Sequence, residues 1–251
     1  MSSSRVEVIP VKGLPLVKPG DDVAQLIASA VELRNGDVVA ICSTIVSKAE
    51  GRIVKLSEVK AGERAVEIAR KIGKEPEVVQ LVLENSEEVL LEQPFLLVKA
   101  KFGNVCVNAG VDLSNVEAGY ALLPPLDPDG SAERIRRRFA ELGYDVAVVI
   151  TDTNGRCFRR GVVGFAIGCS GLEVLRSWIG KRDLYGRELE MTVECVADEI
   201  AAFANLLMGE GGDGVPAVVF RGLNVSGDGR AADIYRGEEE DVIRRCLRKC
   251  Y

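Results

Sequence analysis

Five small or branched apolar residues in a row, Val146-Ala147-Val148-Val149-Ile150, constrain the fold of this chain more than any other stretch. Such a run reads as a buried strand. The chain then breaks into Thr151-Asp152-Thr153-Asn154-Gly155-Arg156-Cys157-Phe158-Arg159-Arg160-Gly161. A carboxylate at a strand mouth, flanked by hydroxyls and followed by fixed positive charge, suits a bound cation and an anionic ligand. The competing reading is an Asx-type turn with exposed arginines.

Other segments repeat the design. Val38 to Cys42 is a second buried strand, and it opens into Ser43, Thr44, Ser47 and Lys48; a helix cap at Ser43 or Thr44 is the alternative there. Val6 to Val11 is an edge strand, because Pro10 has no N–H to give a central ladder. Asp21 or Asp22 caps a helix carrying Val23, Leu26, Ile27, Ala30 and Val31 at helical spacing. Helices are expected over 63–72 and 77–84, and strands over 88–100 and 104–107. A rigid connector is expected over 122–130, with Ser131 capping a basic helix over 132–142 whose Arg134, Arg136, Arg137 and Arg138 form a solvated face. Val162 to Gly168 is a strand and Asp183 to Arg187 a turn. Thr192 starts a helix marked by Val193, Val196, Ala197, Ile200, Phe203, Ala204 and Leu207. Ala217 to Phe220 is a strand, and 238–249 a charged helix. Alternating strands and helices with hairpin-like pairs indicate an α+β fold with mixed sheets.

Composition limits the chemistry. The chain of 251 residues has no histidine, so no imidazole serves as base, nucleophile partner or metal ligand. Hard, oxygen-ligated Mg2+ or Mn2+ fits the remaining side chains best. A net charge of −6 argues against nucleic acid as a partner. The start, Met1 to Arg5, lacks the apolar core of a signal peptide, and no apolar run reaches membrane-spanning length, so a cytoplasmic protein without membrane partners is expected. Seven cysteines without a Cys-x-x-Cys spacing give neither a disulfide framework nor a zinc site. Cys42 and Cys106 in strand-like runs, and Cys195 on a helix, read as small hydrophobes. Cys246 and Cys250, four apart, either pair or share a helix face.

Gly209 to Gly214 holds four glycines in six residues, more than a helix stop requires. The excess suits backbone N–H groups approaching an anion, with a flexible surface loop as the alternative. It is not a Walker loop, since it follows a helix and opens a strand. A phosphate beside the negative end of a helix needs cations, and Glu210 and Asp213 can hold them. Asp112, after the strand at 104–107 and beside Asn108 and Asn115, is a third carboxylate in such a setting. Asp112, Asp152 and Glu210 together favour a hard-metal phosphoryl-transfer site.

From Val8 to Arg245 the sequence closely resembles the coenzyme F-420:L-glutamate ligases, also called coenzyme F-420-0 gamma-glutamyl ligases. Carrying the resemblance are Gly13-Leu14-Pro15, Ser43-Thr44 with Lys48 and Gly51, Asn108-Ala109-Gly110-Val111-Asp112 with Asn115, Leu123-Pro124-Pro125, Thr151 to Arg156 with Arg160-Gly161, and Gly209 to Gly214. The resemblance implies a GTP-dependent ligase using two Mn2+ or Mg2+ ions, stimulated by K+, and forming an intertwined homodimer of two-part chains. It implies Asp112, Asp152, Thr153 and Glu210 as metal ligands. It implies GTP contacts at Lys12, Gly13, Leu14, Pro15, Ser43, Thr44, Lys48 and Asn115, and at Met208, Gly209, Glu210, Gly211, Gly212, Asp213, Gly214 and Val215.

One ligase unit over 1–251 is expected, divided into 1–85 with 190–251 and 86–189, and without the C-terminal flavin domain of some relatives. The implied reaction adds L-glutamate to coenzyme F-420-0, and then to the gamma-carboxylate of F-420-1, through an acyl phosphate, releasing GDP and phosphate. Lys48, Arg156 and Arg160 are the candidates for fixed positive charge on the transferring phosphoryl or the acceptor. The rivals are another metal-dependent nucleotide phosphotransferase and a non-catalytic deazaflavin or nucleotide carrier.

Overall fold

The computed structural model describes residues 5–250. The segment Met1 to Ser4, read above for a leader, and the Cys250 side chain lie outside the described residues. The chain builds around a mixed five-stranded sheet of β1 (Glu7–Val11), β12 (Ala217–Arg221), β2 (Val38–Cys42), β8 (Ala147–Arg156) and β9 (Arg159–Ser170), in that spatial order. Only the β2–β8 pair is parallel. Pro10 sits on the edge strand β1, where its missing N–H costs no ladder bond.

Both faces of the sheet are covered, which is why its central strands read as unbroken apolar runs rather than alternating ones. Val38, Ala40, Val149 and Val218 pack against Ala197, Ile200, Ala201 and Ala204 of α6 (Val196–Met208). The alternate residues Val39, Ile41, Val148, Ile150 and Val219 face the opposite way. They meet α1 (Val23–Ala30), α2 (Ser43–Ala49) and α5 (Pro128–Glu141). A separate core forms between 65 and 123, from α3 (Glu63–Ile72), α4 (Pro76–Glu84) and the antiparallel sheet β4 (Ser86–Leu91), β5 (Leu97–Ala100), β6 (Val105–Val107). The ribbon β3 (Ile53–Lys55) with β7 (Tyr120–Leu122) leads into and out of this layer. A second ribbon, β10 (Leu175–Ser177) with β11 (Val193–Cys195), frames the 178–192 excursion, and α7 (Val242–Cys250) ends the described chain. No helix among the described residues is long and apolar enough to cross a membrane.

Several expectations change. The expected strand over 88–100 is two strands, because Gln93-Pro94 interrupts the ladder. The basic helix starts at Pro128, not Ala132: Asp127 caps it by accepting from Gly130 N at 3.0 Å, and proline at the first helical position needs no donor. Ser131 instead bonds within the helix to the Asp127 carbonyl at 2.9 Å. Thr192 starts no helix; Val193–Cys195 pairs with Leu175–Ser177 first, so Cys195 ends a strand rather than lying on a helix. The polar half of the opening stretch is still strand. β8 runs on to Arg156 and turns at Cys157-Phe158, so Asp152 lies in a ladder rather than in an Asx turn.

Candidate functional site

The register of β8 against β9 slips between Ile150 and Thr151, where the strand leaves the core. A bulge re-aims the side chains that follow it. Thr151, Asp152 and Thr153 thereby line a cavity of about 310 Å3 at the carboxyl ends of the parallel pair β2 and β8. Ligands in α/β sheets bind at that end. The neighbouring strand supplies Cys42, and the first turn of α2 supplies Ser43, Thr44 and Ile45 with Lys48 one turn on. Ser43 and Thr44 are therefore helical residues open to the cavity, and neither side chain caps the helix.

Asp112 comes from the other layer. Backbone bonds in both directions with Leu122, at 2.9 and 2.8 Å, hold its main chain, and Ser114 donates to both carboxylate oxygens, from N at 2.8 Å and Oγ at 2.6 Å. Asn154 Nδ2 donates to the Val105 carbonyl at 3.1 Å and ties this layer to β8. The loop before Asp112 is strained. Asn108 at φ 57° and buried Ala109 at φ 52° both occupy the left-handed region, where a side chain is costly. Gly110 follows at φ 73°, and a Cβ there would stand 3.6 Å from Asp152 Oδ2. The strain lets the loop turn tightly behind the carboxylate. Asn115, at φ 54°, offers its carbonyl to Lys48 Nζ at 2.6 Å.

The third wall is the loop after α6. Met208, Gly209, Glu210, Gly211, Gly212, Gly214 and Val215 all line the cavity. Glu210 accepts from Asn205 Nδ2 at 2.9 Å and from Thr153 Oγ1 at 3.5 Å. Asp112, Asp152 and Glu210 thus share one cavity, and the donors named here to each are neutral. Burial pushes the Asp152 carboxyl up to about 7, with Asp112 and Glu210 adding to the rise; the N–H of Thr153 and the Ser43 side chain oppose it. Carboxylates crowded in this way, served by neutral donors, fit a divalent cation with oxygen preference. Among the described residues, no three Asp, Glu, Cys or His side chains stand close enough to form a metal cage by themselves.

Of the residues singled out in the sequence, Leu14, Pro15, Ser43, Thr44, Lys48, Asp112, Asn115, Asp152, Thr153 and the 208–215 loop apart from Asp213 meet at this cavity. Lys12, Gly13, Asp213, Arg156 and Arg160 are not in its lining. The Asp213 carboxylate folds back on Gly209, where a Cβ would clash with it. Arg156 and Arg160 stand on the β8–β9 hairpin tip, Arg156 Nη1 donating to the Gly161 carbonyl at 3.1 Å. Sequence reasoning passed over Ser114 and Asn205. An Asp-x-Ser spacing could have found Ser114, but Asn205 lies in the turn between Ala204 and Leu207 with no marking signal.

The sequence profile described as F420-0:Gamma-glutamyl ligase matches residues 13–222, most of the chain. The chain belongs to this ligase family. The coenzyme F420:L-glutamate ligase of Archaeoglobus fulgidus is 72% identical over 247 residues, covering 98% of this chain and 99% of the relative. The proteins of the same name from Methanopyrus kandleri and Methanosarcina mazei are 47% and 46% identical, each across 96% or more of both chains. Across the family match lie all three cavity carboxylates and the whole 208–215 loop.

Proposed function

We propose that the chain ligates L-glutamate to coenzyme F420-0, and then to the gamma-carboxylate of F420-1, at the expense of GTP. What carries this reading is one cavity in which Asp112 and Asp152, from distant segments, face a glycine-rich loop that carries Glu210, in a chain so close to named F420:L-glutamate ligases. A carboxylate is a poor acyl donor. Its oxygen must first attack the γ-phosphorus of GTP, breaking the bond to the β-phosphate oxygen and releasing GDP. The glutamate amine then attacks the acyl carbon, phosphate leaves with the bonding pair, and the amine gives up its proton.

Asp112, Asp152, Thr153 and Glu210 would hold two Mn2+ or Mg2+ ions, with the nucleotide phosphates completing their coordination, as is usual for Mg2+. Bound there, such ions neutralise charge on the phosphates as it shifts. The 208–215 loop, Ser43, Thr44, Asn115 and the Lys12–Pro15 segment would hold GTP. Lys48 supplies fixed charge inside the cavity. Arg156 lies three strand residues beyond Thr153, roughly 10 Å, so Arg156 and Arg160 would serve the acidic acceptor at the rim. K+ is part of this reading, without an assigned residue.

A homodimer also belongs to it. Leu184 is 100% exposed, Tyr185 97%, Phe158 95% and Met191 86%, an apolar surface on the hairpin tip and the 178–192 excursion that a monomer leaves in water.

Mass spectrometry of F420-0 incubated with GTP, Mn2+ and glutamate tests the activity. A product heavier by one and two glutamyl units, with GDP formed only when acceptor and glutamate are both present, is expected. Lys48→Ala, Arg156→Ala and Arg160→Ala should slow it more than they weaken GTP binding. GDP formation without glutamate would favour a phosphotransferase, and nucleotide binding without turnover a carrier.

A further inference from the structure

Glu210 lies at the end of a helix that supplies it with no positive charge. It follows directly on the C-terminus of α6, whose exposed carbonyl groups carry partial negative charge and whose last turn has no basic residue. Its nearest donor is Asn205 Nδ2, at 2.9 Å from Oε1, and only the N–H side of that amide can face a carboxylate. The second oxygen, Oε2, is left toward Thr153 Oγ1 at 3.5 Å. The backbone carbonyl of Asn205 meanwhile accepts from Gly209 N at 2.9 Å, so the same residue closes the helix and orients the first side chain beyond it.

The placement of Asn205 is itself built into the sheet. Gly164 is the cross-strand partner of Thr153. A Cβ on Gly164 would meet the Ala201 carbonyl oxygen and come within 2.6 Å of Asn205 Cβ. The absent side chain lets α6 rest directly on the backbone of β9, which sets Asn205 beside Thr153 and the cavity.

We infer that Asn205 is a positioning residue: it holds one oxygen of Glu210 so that the other is presented with Thr153 to a divalent cation. The inference rests on the metal–nucleotide reading above and adds a residue to it. Groups that orient a metal carboxylate through a hydrogen bond are typically worth 10- to 100-fold in metal affinity.

The test is Mn2+ affinity, followed by electron paramagnetic resonance with GDP present, in the full-length protein and in Asn205→Ala, Asn205→Leu, Glu210→Ala and Asn205→Ala/Glu210→Ala. Leucine is close to asparagine in size and has no donor, so it separates lost packing from the lost hydrogen bond. Both single Asn205 variants should bind Mn2+ roughly 10- to 100-fold more weakly, with unchanged melting temperature. In the Glu210→Ala background the Asn205 change should add less than about twofold, since coupled residues are not additive. Wild-type affinity in Asn205→Leu, or a full further loss in the double variant, would overturn the positioning role while leaving the metal site standing. A wild-type protein that binds no Mn2+ with GDP would instead remove the metal reading, and this inference with it.

Discussion

Asp152 shows how a single residue trades stability for use. It is placed by a bulged strand among two other carboxylates, and burial and their charge together hold its proton far more tightly than usual. A carboxylate buried and crowded by others in this way weakens the fold unless a cation joins it. Asp152→Asn should therefore lower turnover at saturating Mn2+ by about 100-fold or more, several kcal/mol of transition-state stabilisation. Its melting temperature without metal should be unchanged or higher. Parallel kinetics and thermal melts check both halves, and a variant that keeps wild-type turnover would contradict the role. Asp37 is the contrasting case. It is 1% exposed, yet Arg221 meets it with two hydrogen bonds, at 2.9 and 2.8 Å, and Arg34 N adds a third at 2.8 Å. That carboxylate is buried, served by a charged partner and structural.

Among the elements, α7 is attached chiefly by charge. Glu88 of β4 takes hydrogen bonds from Arg244 and Arg248, and Glu238 pairs with the same two arginines. The Arg248 hydrogen bond, with Arg244 beside it, holds the Glu88 carboxyl below its ordinary 4.5 despite partial burial. A depressed folded value means that the stabilisation is fully present above 4.5 and lost as pH falls through the lower folded value. Hydrogen exchange over 242–248, corrected for intrinsic rates, should rise below that point, and Glu88→Gln should show the raised exchange at neutral pH. Unchanged protection in Glu88→Gln would mean that apolar packing holds the helix instead. The elements also differ in how legible they were. β2, β8 and β12 were readable because burial on both faces leaves unbroken apolar runs, and the Asp21-Asp22 pair announced α1, of which Asp22 is the cap. The start of α5 was hidden because Pro128 reads as a breaker unless it is seen as a first helical residue. β11 was hidden because Val193 and Val196 fit a helical spacing as well as a strand, and only pairing with Leu175–Ser177 decides between them.

For the whole molecule, the candidate site is an arrangement of layers. The main sheet contributes Asp152, α2 contributes Ser43, the 65–123 layer contributes Asp112, and the loop after α6 contributes Glu210. The acids were visible one by one in the sequence, each near an apolar run and beside glycine or asparagine. Their orienting partners Ser114 and Asn205 were not, because which neutral side chain reaches which carboxylate depends on packing between segments. The exposed Leu184, Tyr185 and Met191 belong to the same scale. If they are covered by a second copy, light scattering should give twice the chain mass, and Leu184→Asp with Tyr185→Asp should shift it to one; a wild-type monomer would contradict the dimer. The most direct measurement of all is anomalous diffraction at the manganese edge from crystals grown with GDP and Mn2+. Manganese peaks about 2 Å from carboxylate oxygens of Asp112, Asp152 and Glu210, beside the nucleotide phosphates, are expected. Manganese bound elsewhere, or nucleotide seated away from these three acids, would contradict the assignment.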